Sequence, residues 1–149
     1  MQEHHLSKNQ PFSIVCNSID GSGSGKNSLD YTFNFSDKFQ GKYELTFSFM
    51  SDNSASVLSP LLLNISGLNG SNFEGNQQNN QSVSNVVGIL QIRDSTNDNL
   101  FAEYSDNPPV NITLGGQNQF NISLLNFDKT LWSVVDVNYV CILHFKPVR

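Results

Sequence analysis

The sequence predicts an all-β fold: a single jelly roll of eight to nine antiparallel strands packed as a two-sheet sandwich. Apolar and polar residues alternate with a period of two, as in Leu29–Phe35 and Tyr43–Phe49, and this spacing is typical of strands with one buried face. Clusters rich in Gly, Asn, Asp, Ser and Pro separate the apolar runs, as turns between short strands do. No window carries an apolar stripe at helical spacing over three turns, so we predict no long helix.

Nine runs are strand candidates. Five alternate regularly: Leu29–Phe35, Tyr43–Phe49, Leu61–Ile65, Val110–Leu114 and Phe120–Leu124. Four are shorter or apolar on both faces: Phe12–Cys16, Val86–Ile92, Leu100–Tyr104 and Val137–Phe145. Eight or nine strands in a chain of this length suit two four-stranded sheets wound as paired Greek keys. A nine-stranded immunoglobulin-like sandwich is the main rival, and it is disfavoured because Trp132 does not lie between the two cysteines.

The alternation also predicts the core and the longest loop. The almost wholly polar segment Asn69–Ser84 is expected to be a surface excursion between strands, since loops of that length carry function or move. The aromatic residues of the first two alternating runs are assigned to the core, where they form cross-strand pairs. The expected shared core is Phe33, Phe35, Leu45, Phe47, Leu63, Ile112, Ile122 and Leu143.

The chain divides into an N-terminal arm, residues 1–11, and one jelly-roll domain, residues 12–149. Residues 1–10 contain only two apolar side chains, Met1 and Leu6, so they cannot fold onto the core by themselves. Chain ends of this kind are ordered only when something holds them. We expect a neighbouring subunit to hold the arm by hydrogen bonds along its surface or sheet edge. The arm also lacks the apolar stretch of a secretory signal.

Composition excludes several classes of protein. Of 149 residues only 14% are charged, against about 25% in a typical soluble domain, and 20 Asn and 20 Ser take the place of charge. Eleven Phe supply enough apolar surface for a core, which argues against a disordered chain. The net charge of −5 argues against a nucleic-acid binder, which needs clustered Lys and Arg. No apolar run is long enough to span a membrane.

Three features resemble chemical motifs without matching them. The Gly-rich stretch Gly21–Ser28 lacks the spacing of a phosphate-binding loop and no βαβ pattern follows it. His144, with His4 and His5 in the arm, has no nucleophile-elbow pattern to complete a triad. Asp94–Asn99 lacks the spacing of an EF-hand and is expected to be a turn, with an incidental calcium ion left open. We therefore expect no catalytic, cofactor-binding or metal-binding residues and no enzyme activity.

Cys16 and Cys141 lie in the first and last strand candidates, which are neighbours in a jelly roll. Two cysteines, no secretory signal and a large apolar core give no need for a disulfide. We expect both thiols to be buried and reduced, as small apolar groups.

Three segments together resemble a known family. They are SIDGSGSGKNSLDYTFNFSDKFQGKYELTFSF, SNVVGILQI and PPVNITLGGQNQFNISLLNFDKTLWSVVDVNYVCILHFKPV. In this order they resemble the small single jelly-roll capsid proteins of eukaryotic double-stranded DNA viruses, the penton-like or minor capsid subunits of giant viruses and virophages. The resemblance covers Phe12–Val148 and rests on strand order and texture. It implies a structural protein of the virion, assembled in the host cytoplasm or virus factory, with no catalytic residues to carry over.

The expected function is that of a penton-like capsid subunit in an icosahedral shell. Its partners are copies of itself, with a pentamer favoured over a trimer, and other capsid proteins. The alternatives are a trimeric minor capsid or spike, a receptor-binding head, and a carbohydrate-binding β-sandwich module. The last requires solvent-facing aromatic side chains in one patch.

Overall fold

The computed structural model describes residues 10–35, 37–52, 59–70, 72–75, 82–93 and 99–148. Within these ranges there is no α-helix, only one 3-10 turn at Asp37–Phe39, and no helix of a length and hydropathy that would span a membrane. The strands are β1 (Phe12–Asn17), β2 (Ser22–Gly25), β3 (Ser28–Thr32), β4 (Gly41–Ser51), β5 (Leu61–Ser66), β6 (Phe73–Glu74), β7 (Ser82–Val83), β8 (Val86–Ile92), β9 (Leu100–Ala102), β10 (Val110–Leu114), β11 (Gln119–Leu125) and β12 (Tyr139–Pro147).

The long strands form two antiparallel four-stranded layers. The first layer has the order β1-β12-β4-β10, and the second has the order β3-β11-β5-β8, with β2 on the outer edge of β3. The eight long strands in chain order are β1, β3, β4, β5, β8, β10, β11 and β12. Counted in this order, the first layer consists of strands one, eight, three and six, and the second layer consists of strands two, seven, four and five. This paired Greek-key winding is a jelly roll. The predicted fold class is confirmed.

One short strand joins the two layers. β9 pairs with β4 at Phe49–Met50 and with β8 at Gln91–Ile92, while the other part of the same β4 edge pairs with β10. The result is one curled sheet of ten strands. The two layers of the predicted sandwich are therefore joined at this side, because β9 bridges them by backbone hydrogen bonds.

The core lies between the two layers, where the alternation predicts it. In β4 every second side chain from Tyr43 to Phe49 is buried. Phe47 crosses the layer gap to β8, because a Cβ added at Gly88 would lie only 2.7 Å from Phe47 Cε1. The predicted core residues are all buried except Phe33, which is partly buried against Phe12, Phe35 and Phe39.

All nine predicted strands are present, with corrections at their ends. β3 ends at Thr32 rather than Phe35, because the backbone amides of Phe33 and Phe35 donate to Asn118 and Gln117 carbonyls outside the ladder. β9 ends at Ala102 because a turn follows at once, in which the Asp106 amide donates to the Glu103 carbonyl at 2.9 Å. β12 begins at Tyr139, two residues later than predicted.

Two predicted loops contain short strands. The Gly-rich stretch forms β2 and its turn into β3, since glycine and serine permit the close hairpin register. The polar segment Asn69–Ser84 includes β6 paired with β7, so it is not wholly a loop; residues 71 and 76–81 lie outside the described part. The arm falls almost wholly on residues 1–9, which also lie outside the described residues, so its role stays a prediction.

The two cysteines are direct cross-strand partners. Cys16 in β1 faces Cys141 in β12 in the antiparallel register, both are buried, and both are free thiols. The predicted adjacency and burial are confirmed. Burial raises the pKa of Cys16 from 9.0 to about 12 and raises the pKa of Cys141 well above its ordinary value, so neither thiol is a ready nucleophile.

We expect neither thiol to react with an aromatic disulfide reagent in the native protein within minutes, because a thiolate is needed and both sulfurs are shielded. In denaturant without reductant, two thiols per chain should titrate. Finding none after denaturation would show an oxidised pair and contradict the reduced state.

Candidate interaction surface

The side chains of β1, β12, β4 and β9 that point away from the core form one continuous surface, called the outer face below. Antiparallel pairing lines these side chains up in rows across the strands. One row runs from Asn17 through Val140 and Met50 to Phe101, and the next from Val15 through Ile142 to Ser48. The rows nearer the start of β1 hold Ser13, His144, Thr46, Lys146 and Glu44.

Half of the outer face is apolar. Its members are Val15, Met50, Phe101, Val140 and Ile142. Val15 is 64% exposed, Met50 is 50% and Val140 is 37%, and the register places the five as neighbours. A sheet face open to water normally presents polar side chains. Contiguous apolar side chains that reach solvent therefore make this half a candidate contact surface.

A sequence signal for this half exists in three of the strand candidates. Phe12–Cys16, Leu100–Tyr104 and Val137–Phe145 are among the runs that are shorter or apolar on both faces. Continuous apolar runs are typical of strands covered on both sides. The pattern gives the number of covered faces, whereas only the strand order shows that these three runs lie on one surface with β4.

The other half of the outer face is polar and centres on His144. Its Nδ1 lies 3.2 Å from Ser13 Oγ, and its Nε2 lies 3.1 Å from Ser48 Oγ. A hydroxyl donates or accepts as needed, so an uncharged imidazole satisfies both contacts. Lys146 and Glu44 occupy the next row, directly opposite one another in β12 and β4. These hydrogen bonds fix His144 as part of the floor of this half.

Tyr104 stands at the boundary between the halves. Its ring is 63% exposed and meets the His144 ring edge-to-face, with 6.2 Å between centroids. On its polar side lies a groove of about 770 Å³, bounded by Pro11, Phe12 and Pro109. On its apolar side lies a shallower groove of about 490 Å³ that includes Met50, Val140 and Ile142.

Of the sequence features that resemble chemical motifs, His144 lies on the outer face, whereas the Gly-rich stretch lies at the edge of the second layer. Asn27, in the turn within the Gly-rich stretch, is buried, and its side-chain amide donates to the Trp132 carbonyl, so this turn anchors the loop before β12. No helix follows the stretch. His144 approaches two serines. His4 and His5 lie outside the described residues.

The acidic turn Asp94–Asn99 is described only at Asn99, which is buried and donates through its side-chain amide to the Ser51 carbonyl at 3.3 Å. Residues 94–98 lie outside the described part. Within the described ranges, no group of three or more His, Cys, Asp or Glu side chains is placed to hold a metal ion.

No protein-family model matches the chain, and no curated protein matches it either. The candidate interaction surface is therefore defined by its geometry alone: an apolar half made from two-sided strands, a polar half with a groove, and Tyr104 between them.

Proposed function

We propose that this chain is a structural subunit that assembles with copies of itself, as a penton-like capsid protein in an icosahedral virion. The observation that carries the proposal is the apolar half of the outer face, built on a jelly roll. The strands that present this surface are joined by continuous backbone hydrogen-bond ladders, so the scaffold beneath it is rigid. In a shell of many copies, the same contact repeats in every subunit.

The physical support is the free energy of covering these side chains. Each buried methylene contributes about 0.8 kcal/mol, so covering Val15, Met50, Val140 and Ile142 offers several kcal/mol in each contact. The amide groups of the surrounding Asn side chains and the hydroxyl groups of the surrounding Ser side chains exchange hydrogen bonds to water for hydrogen bonds to a protein partner at little cost, as polar groups at the rims of interfaces do. The resemblance to penton-like subunits favours the pentamer, which is one of the closed rings that homo-oligomers form, and a trimer of the minor capsid or spike type is the nearest variant.

The deciding measurement is the mass of the purified chain in solution over a range of concentrations, by sedimentation velocity or mass photometry. A pentamer supports the vertex subunit. A trimer moves the assignment to the minor capsid or spike alternative. A chain that stays monomeric at every concentration contradicts the proposal.

We expect Val140→Lys to weaken assembly by at least about 30-fold, since a charge placed in a dry contact costs about 2 kcal/mol or more. Thr113→Lys is the matched control, because Thr113 is exposed in β10 of the same layer but outside the apolar half. Both variants should fold, as judged by circular dichroism and by thermal unfolding. Equal assembly of the two variants would show that the apolar half is not the contact.

A further inference from the structure

The groove on the polar side of Tyr104 has the dimensions and the lining of a ligand site, and it lies beside the apolar half that is proposed as the subunit contact. Its volume of about 770 Å³ lies within the usual range for small-molecule pockets, about 300–1,000 Å³. The walls are apolar at Pro11, Phe12 and Pro109. The residues with polar side chains are Ser13, Glu44, Thr46, Tyr104, His144 and Lys146.

The charges of the groove match a neutral ligand. Glu44 and Lys146 are cross-strand partners, so one carboxylate and one ammonium group line the site and their formal charges cancel. An anion attracted by Lys146 would also meet Glu44, and a cation attracted by Glu44 would also meet Lys146, so the formal charges of the groove favour neither. A wholly apolar ligand would bury both charged groups without partners. The ligand that fits carries several hydroxyl groups and no net charge.

Tyr104 is held in place before any ligand arrives. The turn that carries it is closed by Asp106, whose amide donates to the Glu103 carbonyl at 2.9 Å and whose carboxylate accepts from the Glu103 amide at 2.8 Å. The end of the turn is tied to β8, because Asn107 Oδ1 accepts from the Ile89 amide at 2.9 Å and Asn107 Nδ2 donates to the Ile89 carbonyl at 3.3 Å. Because the backbone that carries the exposed ring is fixed in this way, binding costs little ordering of the turn.

From these observations we infer that the groove binds a neutral glycan. The apolar C–H face of a pyranose ring lies on Tyr104, and its hydroxyl groups donate to Glu44 and accept from Lys146. A pyranose is amphipathic in the sense that the groove requires, with one apolar face and a rim of hydroxyls. Ser13, Thr46 and His144 form the polar floor beneath it.

The test uses the full chain and a panel of neutral methyl glycosides, those of galactose, mannose, glucose and N-acetylglucosamine, with methyl sialoside as the anionic probe. Saturation-transfer NMR detects binding, and titration calorimetry gives the dissociation constant. We expect at least one neutral glycoside to bind in the millimolar range and the sialoside to bind more weakly. Tyr104→Ala should weaken binding at least tenfold, whereas Tyr104→Phe should keep it within about threefold.

Phe127→Ala is the matched control, because Phe127 is an aromatic side chain of similar exposure, 60%, in the turn after β11. It should bind the glycoside as the unaltered chain does. Failure of every neutral probe to bind, tighter binding of the sialoside, or equal loss in the Phe127 and Tyr104 variants would each overturn the inference. None of these results depends on the oligomer, so the test is separate from that of the proposed function.

Discussion

Phe47→Ala is expected to lower the free energy of unfolding by about 3–5 kcal/mol, the range for removing a fully buried aromatic ring. Phe47 is 2% exposed, and its ring reaches across the sandwich to the backbone of Gly88 in β8. Loss of the ring leaves a cavity between the two layers that Gly88, which has no side chain, cannot fill. Denaturant unfolding followed by Trp132 fluorescence measures the change.

Two further variants test the contact between Phe47 and Gly88 across the two layers. Phe127→Ala removes an equal ring from an exposed turn, and we expect a change within about 0.5 kcal/mol. Gly88→Ala places a methyl group 2.7 Å from Phe47 Cε1 and 2.6 Å from Asn107 Cγ, so it should destabilise by about 1–3 kcal/mol through overpacking. A Phe47→Ala effect no larger than that of Phe127→Ala would contradict the packing between the layers.

The second large effect is expected at alkaline pH. Burial raises the pKa of Cys16 to about 12, and it raises the pKa of Cys141 well above its ordinary value. Burial also raises the pKa of Tyr31 to about 12 and that of Tyr139 further; the two hydroxyls lie 2.9 Å apart in the core. All four groups are therefore held in their protonated, uncharged forms by the fold.

The sign follows from proton binding in the two states. Above pH 9 the unfolded chain loses thiol protons that the folded chain keeps, so stability is complete below pH 9 and falls as pH rises. Each thiol costs about 1.4 kcal/mol per pH unit. We expect a loss of about 4 kcal/mol between pH 7 and pH 10.5 from the two thiols together, with the tyrosines adding to it above pH 10.

Denaturant unfolding at pH 7, 9 and 10.5 in the presence of reductant measures this loss. The double variant Cys16→Ala with Cys141→Ala is the control. Its stability at pH 7 is lower because of the lost sulfur volume, but its decline between pH 9 and 10.5 should be much smaller. If the unaltered chain is as stable at pH 10.5 as at pH 7, the thiols are not buried as described.

The two grooves and the apolar half share one structural origin. β4 is long enough, at 11 residues, to pair with β12 along one edge and with both β10 and β9 along the other. The end that meets β9 carries Met50 outward, and the end that meets β10 carries Lys42 and Glu44 outward. Tyr104 follows β9 directly and lies where the two ends meet, which is why it borders both grooves.

The fold class and the core follow from the amino-acid sequence. Strict alternation fixes which side chains of β4, β5 and β10 are buried, because successive residues in a strand point to opposite faces. The same rule fails beyond Thr32, the last residue of β3 that pairs with β11. Phe33 and Phe35 continue the alternation of β3, but their amides bond to the loop before β11, and only Phe35 is fully buried.

The position of the candidate interaction surface, by contrast, follows from the tertiary structure and not from any local sequence pattern. The two-sided runs around Val15, Val140 and Phe101 are far apart in the sequence, and nothing local shows that they share a face. The Tyr104 ring contacts the His144 ring, and both line a groove. Both facts depend on a turn that Asn107 anchors to β8. Alternation reports the burial of each strand separately, whereas a surface is defined by strand order, and strand order is set by long-range pairing energies that no local window contains.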